Sequence, residues 1–207
     1  MIRTLITTAT AAIALAIATM AALLLTSSEA AGQVAVKTNL LYDATTTPNL
    51  GLEVAVGRKN TLNVVYGINP WTFNEGRKVK HWVVQPEYRW WLCSAYNGHF
   101  FGVHALGGQY NACKVDLPVP GAFFGGDNLR REVKNSRYQG WFAGAGVTYG
   151  YQWIFSRHFN MEAEIGVGYG HLWYDRYPCA SCGTKISEGG TNYVGVTKAG
   201  LSLMYLF

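Results

Sequence analysis

The sequence predicts an all-β protein, an eight-stranded antiparallel up-and-down transmembrane β-barrel with a filled polar interior. After Val34, apolar and polar residues alternate with a period of two, which is typical of β-strands. Charged residues make up 14% of the 207 residues, below the roughly 25% of soluble domains. Aromatic residues make up another 14%, and 24 residues are glycine. Finally, short and long connections between the predicted strands alternate, as they do in outer-membrane barrels.

The composition also excludes several classes of protein. Disordered chains are poor in aromatic residues, so this chain is not one of them. Neither a collagen-like G-X-Y period nor a sustained heptad is present. No run of 18 apolar residues follows Leu25, so the mature chain is predicted to have no membrane-spanning helix.

Residues 1–30 are predicted to be a signal peptide, and residues 31–207 the mature barrel. Arg3 supplies a positive charge, residues 5–25 are almost all apolar or small, and Ala30 ends a polar stretch that suits a signal peptidase. An uncleaved helical anchor is the alternative, because the apolar stretch is long for a signal peptide. Both interpretations predict an exported protein.

Eight strands are predicted, and the seventh is the clearest. From Phe159 to Trp173 its odd positions are mostly apolar or aromatic, while its even positions are mostly polar residues or glycine. In the last strand, Tyr193, Leu203 and Phe207 are predicted to share the apolar face. Each strand has the roughly 9–11 residues that a tilted strand needs to cross a bilayer. The predicted strands are 34–42, 49–57, 61–70, 80–92, 99–111, 139–154, 159–173 and 191–207.

The polar faces of these strands are predicted to point into the barrel, because they carry too few charges for a soluble surface. Charges in a filled interior need partners, so the lysine, arginine and glutamate residues on the polar faces are expected to form salt bridges that fix the strand register. His104 is expected beside Glu87 or Glu164. An eight-stranded interior is filled by side chains, which argues against a pore. The predicted interior polar network is Lys37, Glu53, Glu87, Arg89, His104, Glu162, Glu164 and Lys198.

Two further features favour a membrane barrel over a soluble sandwich, which would bury its apolar face. The predicted connections 57–60, 93–98 and 155–158 are short, while 71–79, 112–138 and 174–190 are long, so one end of the barrel carries all the long loops. The chain also ends on an alternating apolar strand. Tyr205 and Phe207 are therefore predicted to form the signal that barrel-insertion machinery reads.

Several sequence stretches resemble an uncharacterised-domain family of small outer-membrane β-barrels from Bacteroidota-type bacteria, often encoded beside fimbrial genes. The resemblance covers nearly the whole mature chain. It implies a bacterial outer-membrane location and a fimbrial or other surface protein as partner, and it brings no catalytic residue. The matching stretches are Lys37–Asp43, Thr45–Asn49, Asn69–Trp71, His81–Trp82, Gln85–Glu87, Arg89–Trp90 and Gly98–Gly102.

Cysteine chemistry is concentrated in one loop. Cys179 and Cys182 are predicted to form a disulfide, because the compartment of an exported loop is oxidising. A zinc site usually needs a second ligand pair, and a redox motif needs a helix in a βαβ setting. Cys93 is predicted in a tight turn at the opposite end of the barrel. Cys113 is either an odd thiol in the outer loops or a competitor for one of the pair.

The function predicted is non-enzymatic, with a structural or interaction role in surface display, adhesion or fimbria association. No cofactor or metal is expected, and basic outer loops suit outer-membrane lipid and lipopolysaccharide as partners. Nucleic acid is not expected, because the formal net charge of +5 is dispersed. The alternatives are a lipid-A-acting enzyme, suggested by five histidines, and a soluble periplasmic ligand-binding barrel. Residues 112–138 are expected either to plug the barrel or to bind a partner.

Overall fold

The protein is described here from a computed structural model, which covers residues 33–72, 78–113, 136–178 and 185–207. Residues Val34–Phe207 form one compact unit. The predicted signal peptide lies outside the described residues. In chain order the elements are β1 (Val34–Asn39), α1 (Leu40–Ala44), β2 (Asn49–Ala55), β3 (Asn60–Asn69), β4 (Lys78–Trp91), β5 (Gly98–Cys113), β6 (Ser136–Ile154), β7 (Phe159–Pro178) and β8 (Ser187–Leu206).

The strands form one antiparallel sheet in which each strand pairs with the next along the chain. The predicted all-β fold of eight antiparallel strands in one sheet is confirmed. In addition, β1 pairs with β8, where Val36 lies opposite Tyr205. The sheet therefore closes on itself, and the closed sheet is called the barrel below. Within the described ranges, no helix has the length and apolar character needed to span a bilayer.

The first strand is shorter than predicted, because the chain turns into α1. Asn39 ends β1 and caps α1, since its side chain accepts a hydrogen bond of 3.0 Å from the backbone of Leu41. The Asn39 amide also donates to the carbonyl of Ala199 at 3.0 Å, which satisfies a backbone group of β8 where β1 ends. The prediction of a strand as far as residue 42 was therefore wrong.

The later strands are longer than predicted and make the barrel wall uneven. β6 has 19 residues and β7 and β8 have 20 each, whereas β1 has six and β2 seven. Parts of the predicted loops 112–138 and 174–190 are strand, as the pairing of Tyr138 with Arg176 shows. The start of β6, the end of β7 and the start of β8 thus lie within these predicted loops, and they are called the outer ends of these strands below.

A β-bulge reverses the faces of the outer half of β8. Gly166 pairs with Lys198, but Val167 pairs with Val196, so Thr197 is an extra residue. Tyr193 consequently lies opposite Gly170, on the inner face. The prediction that Tyr193 shares the apolar outer face was wrong. The extra residue at 197 moves the side chains that precede it in β8 to the opposite face of the sheet.

Charged and apolar residues are distributed in the reverse of the usual globular pattern. Arg89 and Glu162 are completely buried inside the barrel. Large apolar side chains on the outer face are exposed instead, including Trp153 (40%), Tyr169 (50%) and Leu203 (47%). The apolar face of the sheet therefore points away from the interior.

One end of the barrel interior is closed by a small apolar floor. Its buried members are Ala35, Trp91, Tyr96, Phe100 and Met204. Tyr96 lies in the turn between β4 and β5 with a φ of +63°, and its hydroxyl donates to the carbonyl of Glu53 at 3.1 Å. Burial, followed by the nearby Glu53 carboxylate, raises the pKa of Tyr96, so the hydroxyl keeps the proton that it donates.

The packing of this floor yields the first prediction. A Cβ at Gly150 would overlap the ring of Phe100, so Gly150→Val is expected to destabilise the barrel by about 1–3 kcal/mol. The control is Gly170→Ala, since a Cβ there meets nothing closer than 3.5 Å. Urea unfolding followed by tryptophan fluorescence measures both. Equal stability of the valine variant and the parent protein would contradict the described packing.

Candidate functional site: a buried ion cluster

Arg89 is the centre of a cluster of charged side chains inside the barrel. It is completely buried and uses all five of its N–H donors. Nε donates to Glu87 at 2.6 Å, and Nη1 donates to Glu53 at 2.8 Å and Glu162 at 2.6 Å. Nη2 donates to Glu162 at 3.1 Å and Glu164 at 2.7 Å. One guanidinium thus binds four carboxylates from three strands.

Two lysines also contact the carboxylates that the guanidinium binds. Lys37 Nζ lies 2.9 Å from Glu53 and 3.1 Å from Glu162. Lys198 Nζ lies 2.7 Å from Glu87 and 3.0 Å from Glu164. Each lysine therefore bridges two glutamates that Arg89 also holds. These seven side chains are called the ion cluster below: Lys37, Glu53, Glu87, Arg89, Glu162, Glu164 and Lys198.

The alternation of the strands explains how seven charged side chains meet. In β4, Glu87 and Arg89 are two residues apart and so share the inner face, as Glu162 and Glu164 do in β7. Glycines on neighbouring strands leave the necessary room. A Cβ at Gly51 would lie 2.7 Å from Lys37 Cγ, and one at Gly102 would lie 2.7 Å from Glu87 Oε1.

Neutral polar side chains complete the cluster. Thr61 donates to Glu53 Oε1 at 2.6 Å and accepts from the indole N–H of Trp91 at 3.0 Å. Asn63 donates to Glu87 Oε2 at 3.1 Å. Within the described residues, Glu87 Oε1 and Asn63 Oδ1 are buried acceptors without a hydrogen-bond partner. The ring of Phe100 lies 4.3 Å from the Arg89 guanidinium carbon and shields it from below.

The electrostatics of the cluster favour a fixed structure. Three positive and four negative side chains give a formal charge of −1 in a site that is buried from solvent. Removing an ion from water costs several kcal/mol, and only close, well-oriented counterions offset that cost. Each charged group here has at least two such partners. The cluster therefore holds its strands in a single register.

His104 lies inside the barrel but does not bond a glutamate. Its ring nitrogens bond the hydroxyl of Thr148 at 2.7 Å and that of Thr197 at 2.8 Å. The expected pairing with Glu87 or Glu164 is therefore corrected to a pair of threonines. The cause is the bulge in β8. It inserts Thr197 as an extra residue, and the hydroxyl of Thr197 then lies within hydrogen-bond distance of His104.

The structure brings the predicted interior residues together but separates the other predicted sites. All eight predicted interior residues are buried, seven of them in one cluster. Tyr205 is exposed at 38% and Phe207 at 72%, near the floor end of the barrel. Cys179 and Cys182 lie outside the described residues. Cys113 is disulfide-bonded, whereas Cys93 is free and exposed. Because the chain has four cysteines, the Cys113 bond takes one thiol of the predicted pair, and the predicted Cys179–Cys182 disulfide is corrected to the alternative in which Cys113 competes for a partner.

Sequence reasoning missed Thr61, Thr197 and Tyr96 as polar members of the interior. Thr61 lies two residues before Asn63 in β3, so the period-two pattern contains the signal that it faces inward. Thr197 carries no such signal, because the bulge exists only in the pairing of β7 with β8. Tyr96 follows a predicted strand end, and its inward turn depends on the floor that it packs against.

Each described histidine forms a hydrogen bond through a ring nitrogen. His99 bonds the hydroxyl of Tyr149 at 2.7 Å, and His171 bonds the amide oxygen of Asn192 at 2.6 Å. His81 and His158 bond backbone carbonyls at 3.0 Å each. Within the part of the chain that the structure describes, no group of three or more His, Cys, Asp or Glu residues is arranged to hold a metal ion.

The fold and the cluster define a class of protein: a single closed antiparallel sheet of eight strands whose interior is held by ion pairs. The chain belongs to the family described as protein of unknown function DUF3575, whose model matches residues 15–207. Membership of an uncharacterised-domain family, which the sequence resemblance implied, is thereby confirmed. No curated protein and no solved structure matches the chain.

The cluster yields the second prediction. Arg89→Met leaves four buried carboxylates with only two lysines, and is expected to cost about 3–5 kcal/mol of unfolding free energy. Arg89→Lys is expected to recover little of this loss, because a lysine lacks the planar five-donor fork. Urea unfolding in detergent micelles measures both variants.

The control for this prediction is an exposed ion pair. Lys185 lies 2.6 Å from Asp175 on the surface, so Lys185→Met is expected to leave the free energy of unfolding almost unchanged. Equal free energies of unfolding for Arg89→Met and Lys185→Met would contradict a stabilising role of the ion cluster.

Proposed function

We propose that this chain is a non-enzymatic β-barrel of the bacterial outer membrane with a structural or interaction role. The observation that carries the proposal is the reversed distribution of residues. The ion cluster is buried, while apolar side chains cover the outer face, as Val147 at 57% and Ile165 at 54% exposure illustrate. In water such a surface is costly. In a bilayer it is the favourable arrangement, because acyl chains replace water around it.

Two aromatic bands on the outer face support the membrane assignment. Near the floor end the exposed residues include Trp90, Trp153, Phe159 and Tyr205, and nearer the outer end they include Trp141 and Trp173. Trp141 and Trp153 are 12 residues apart in β6. At about 3.3 Å per residue and a tilt of about 40°, this separation is roughly 30 Å. Barrels in outer membranes carry an apolar band of about 25 Å between such aromatic girdles.

The predicted signal peptide and terminal strand are consistent with this location. A chain exported by residues 1–30 would reach the periplasm, where barrel-insertion machinery would read Tyr205 and Phe207 as its insertion signal. We place the short connections in the periplasm and the outer ends of β6, β7 and β8 at the cell surface. There they would meet lipopolysaccharide as the lipid partner.

The biological role that we propose is surface display, adhesion or fimbria association. The sequence resemblance to small barrels of Bacteroidota-type bacteria encoded beside fimbrial genes is its basis. The lower interior is occupied by side chains, since Arg89, Glu53 and Glu162 are all completely buried. A filled interior leaves the outer ends of the strands as the surface for a fimbrial or other surface partner.

A charged substitution in the outer apolar belt tests the membrane assignment. Val147→Arg is expected to cost about 2–4 kcal/mol in phospholipid vesicles, because Val147 lies near the middle of the proposed lipid-facing band. The matched control is Gln139→Arg on the same face of β6 beyond Trp141, with an expected cost of about 0–1 kcal/mol. In a soluble barrel, both substitutions would be exposed changes worth less than about 0.5 kcal/mol.

Urea unfolding from vesicles measures these differences. Heat-modifiable gel migration of the unboiled parent protein provides an independent check of a detergent-stable barrel. Equal stability of the two arginine variants, with a parent protein that stays dissolved without detergent, would contradict the membrane proposal.

The non-enzymatic part of the proposal has its own test. Mass spectrometry of lipid A from a strain that lacks the protein is expected to show the acyl and phosphate pattern of the parent strain. The reason is geometric, since the described histidines bond carbonyl, amide and hydroxyl partners, and the buried His104 bonds Thr148 and Thr197. A missing acyl chain or phosphate change that the cloned protein restores would instead establish a lipid-A-acting enzyme.

A further inference from the structure

A cleft lies on the outer face of the barrel where β6, β7 and β8 extend furthest. Its volume is about 360 Å³, within the roughly 300–1,000 Å³ of small-molecule sites. Two exposed tryptophans form one side, Trp141 at 46% and Trp173 at 50%. The principal lining residues are Gln139, Trp141, Trp173, Tyr174, Asp175 and Glu188.

The strand register creates this cleft. Gln139, Asp175 and Glu188 lie opposite one another on three adjacent strands, and so form a polar row. Trp141 and Trp173 are paired two residues further toward the floor end, and so form an aromatic row. The neighbour of Trp173 in β8 is a glycine, so no side chain covers that edge of the indole. An aromatic surface therefore stands directly beside three polar side chains.

The two carboxylates of the cleft are oriented by one lysine. Lys185 Nζ lies 2.6 Å from Asp175 Oδ1 and 2.6 Å from Glu188 Oε2. The hydrogen bonds that Lys185 donates to Asp175 and then to Glu188 raise the pKa of Lys185, so the lysine stays charged at neutral pH. The side chains of Asp175 and Glu188 are 41% and 78% exposed, so both carboxylates can be reached from outside the barrel.

From this geometry we infer that the cleft binds the sugar rings of an outer-leaflet glycolipid, an inference that rests on the proposed membrane location. A pyranose ring presents an apolar C–H face, which packs on an indole, and hydroxyl groups, which donate to carboxylate and amide oxygens. The paired rows of aromatic and polar residues match these two features.

The depth and charge of the cleft select the sugar part of the glycolipid. The cleft begins at the outer aromatic band, where lipid headgroups replace acyl chains. An acyl chain in the cleft would lie beside the charged carboxylates of Asp175 and Glu188, which argues against the acyl part of the lipid as the occupant. The charges of Asp175, Glu188 and Lys185 sum to −1, which disfavours a phosphate group. Uncharged sugar rings are the part of the headgroup that suits both the position of the cleft and its negative charge.

The experiment uses the full protein in phosphatidylcholine nanodiscs. The probe is the core oligosaccharide released from rough lipopolysaccharide by mild acid and then dephosphorylated, and isothermal titration calorimetry measures its affinity. Trp173→Leu is expected to weaken binding at least tenfold. Trp153→Leu is the matched control, because Trp153 lies on the same outer face in the opposite aromatic band, and it is expected to leave the affinity unchanged.

A second variant covers the case in which Trp173→Leu fails to insert. The Glu188 side chain is 78% exposed, so Glu188→Gln is expected to keep the fold and to weaken binding several-fold through the loss of a charged acceptor. Heat-modifiable migration verifies the barrel in each variant. This check, together with the Val147→Arg result, separates a failure of the sugar site from a failure of the membrane location.

Three outcomes would overturn the inference. The first is no measurable binding of the oligosaccharide to the inserted parent protein. The second is equal affinity of the parent protein and both cleft variants. The third is equally tight binding of soluble dextran, which would assign the cleft to free polysaccharide and not to a membrane glycolipid.

Discussion

The structure depends on the need of every buried charge for a close partner of opposite sign. Arg89 satisfies this need with five hydrogen bonds to four carboxylates, and two lysines complete the balance to within one charge. Lys37 lies in β1 and Glu162 in β7, so the cluster ties together strands that are distant in sequence. A one-residue slip of any contributing strand would turn its charged side chain to the outer face. The ion pairs therefore select one register around the whole barrel.

The same period of two that collects the charges also produces the apolar exterior. In β4, Arg89 faces inward, and its neighbour Trp90 is 45% exposed on the outer face. Interior charge and exterior hydrophobicity are thus two results of one pattern. Glycines such as Gly51 and Gly102 give the long charged side chains their space. In the location that we propose, a bilayer would remove this outer face from water, which would link the ion cluster physically to the membrane.

Much of this fold could be predicted from the sequence, because alternation and charge are local signals. The strand around Glu162 and Glu164 and the inward direction of Arg89 follow from residues two positions apart. The partners of His104 could not be predicted, because Thr197 reaches it only through a bulge in the β7–β8 pairing. The end of β1 at Asn39 could not be predicted from the sequence either. Asn39 stops the strand by bonding Leu41 and Ala199, and the second of these contacts joins residues 160 positions apart.

The uneven wall suggests how the molecule divides its tasks. Near the floor, Trp91, Phe100 and the ion cluster occupy the interior, so a substitution there changes packing and charge balance together. At the outer ends of β6 to β8, the backbone is still held by strand pairing, yet side chains such as Glu188 make few internal contacts. New side chains can therefore be accommodated at this rim without disturbing the register. Recognition, in the role we propose, would be built on the long strands, while the short strands and the ion cluster hold the barrel closed.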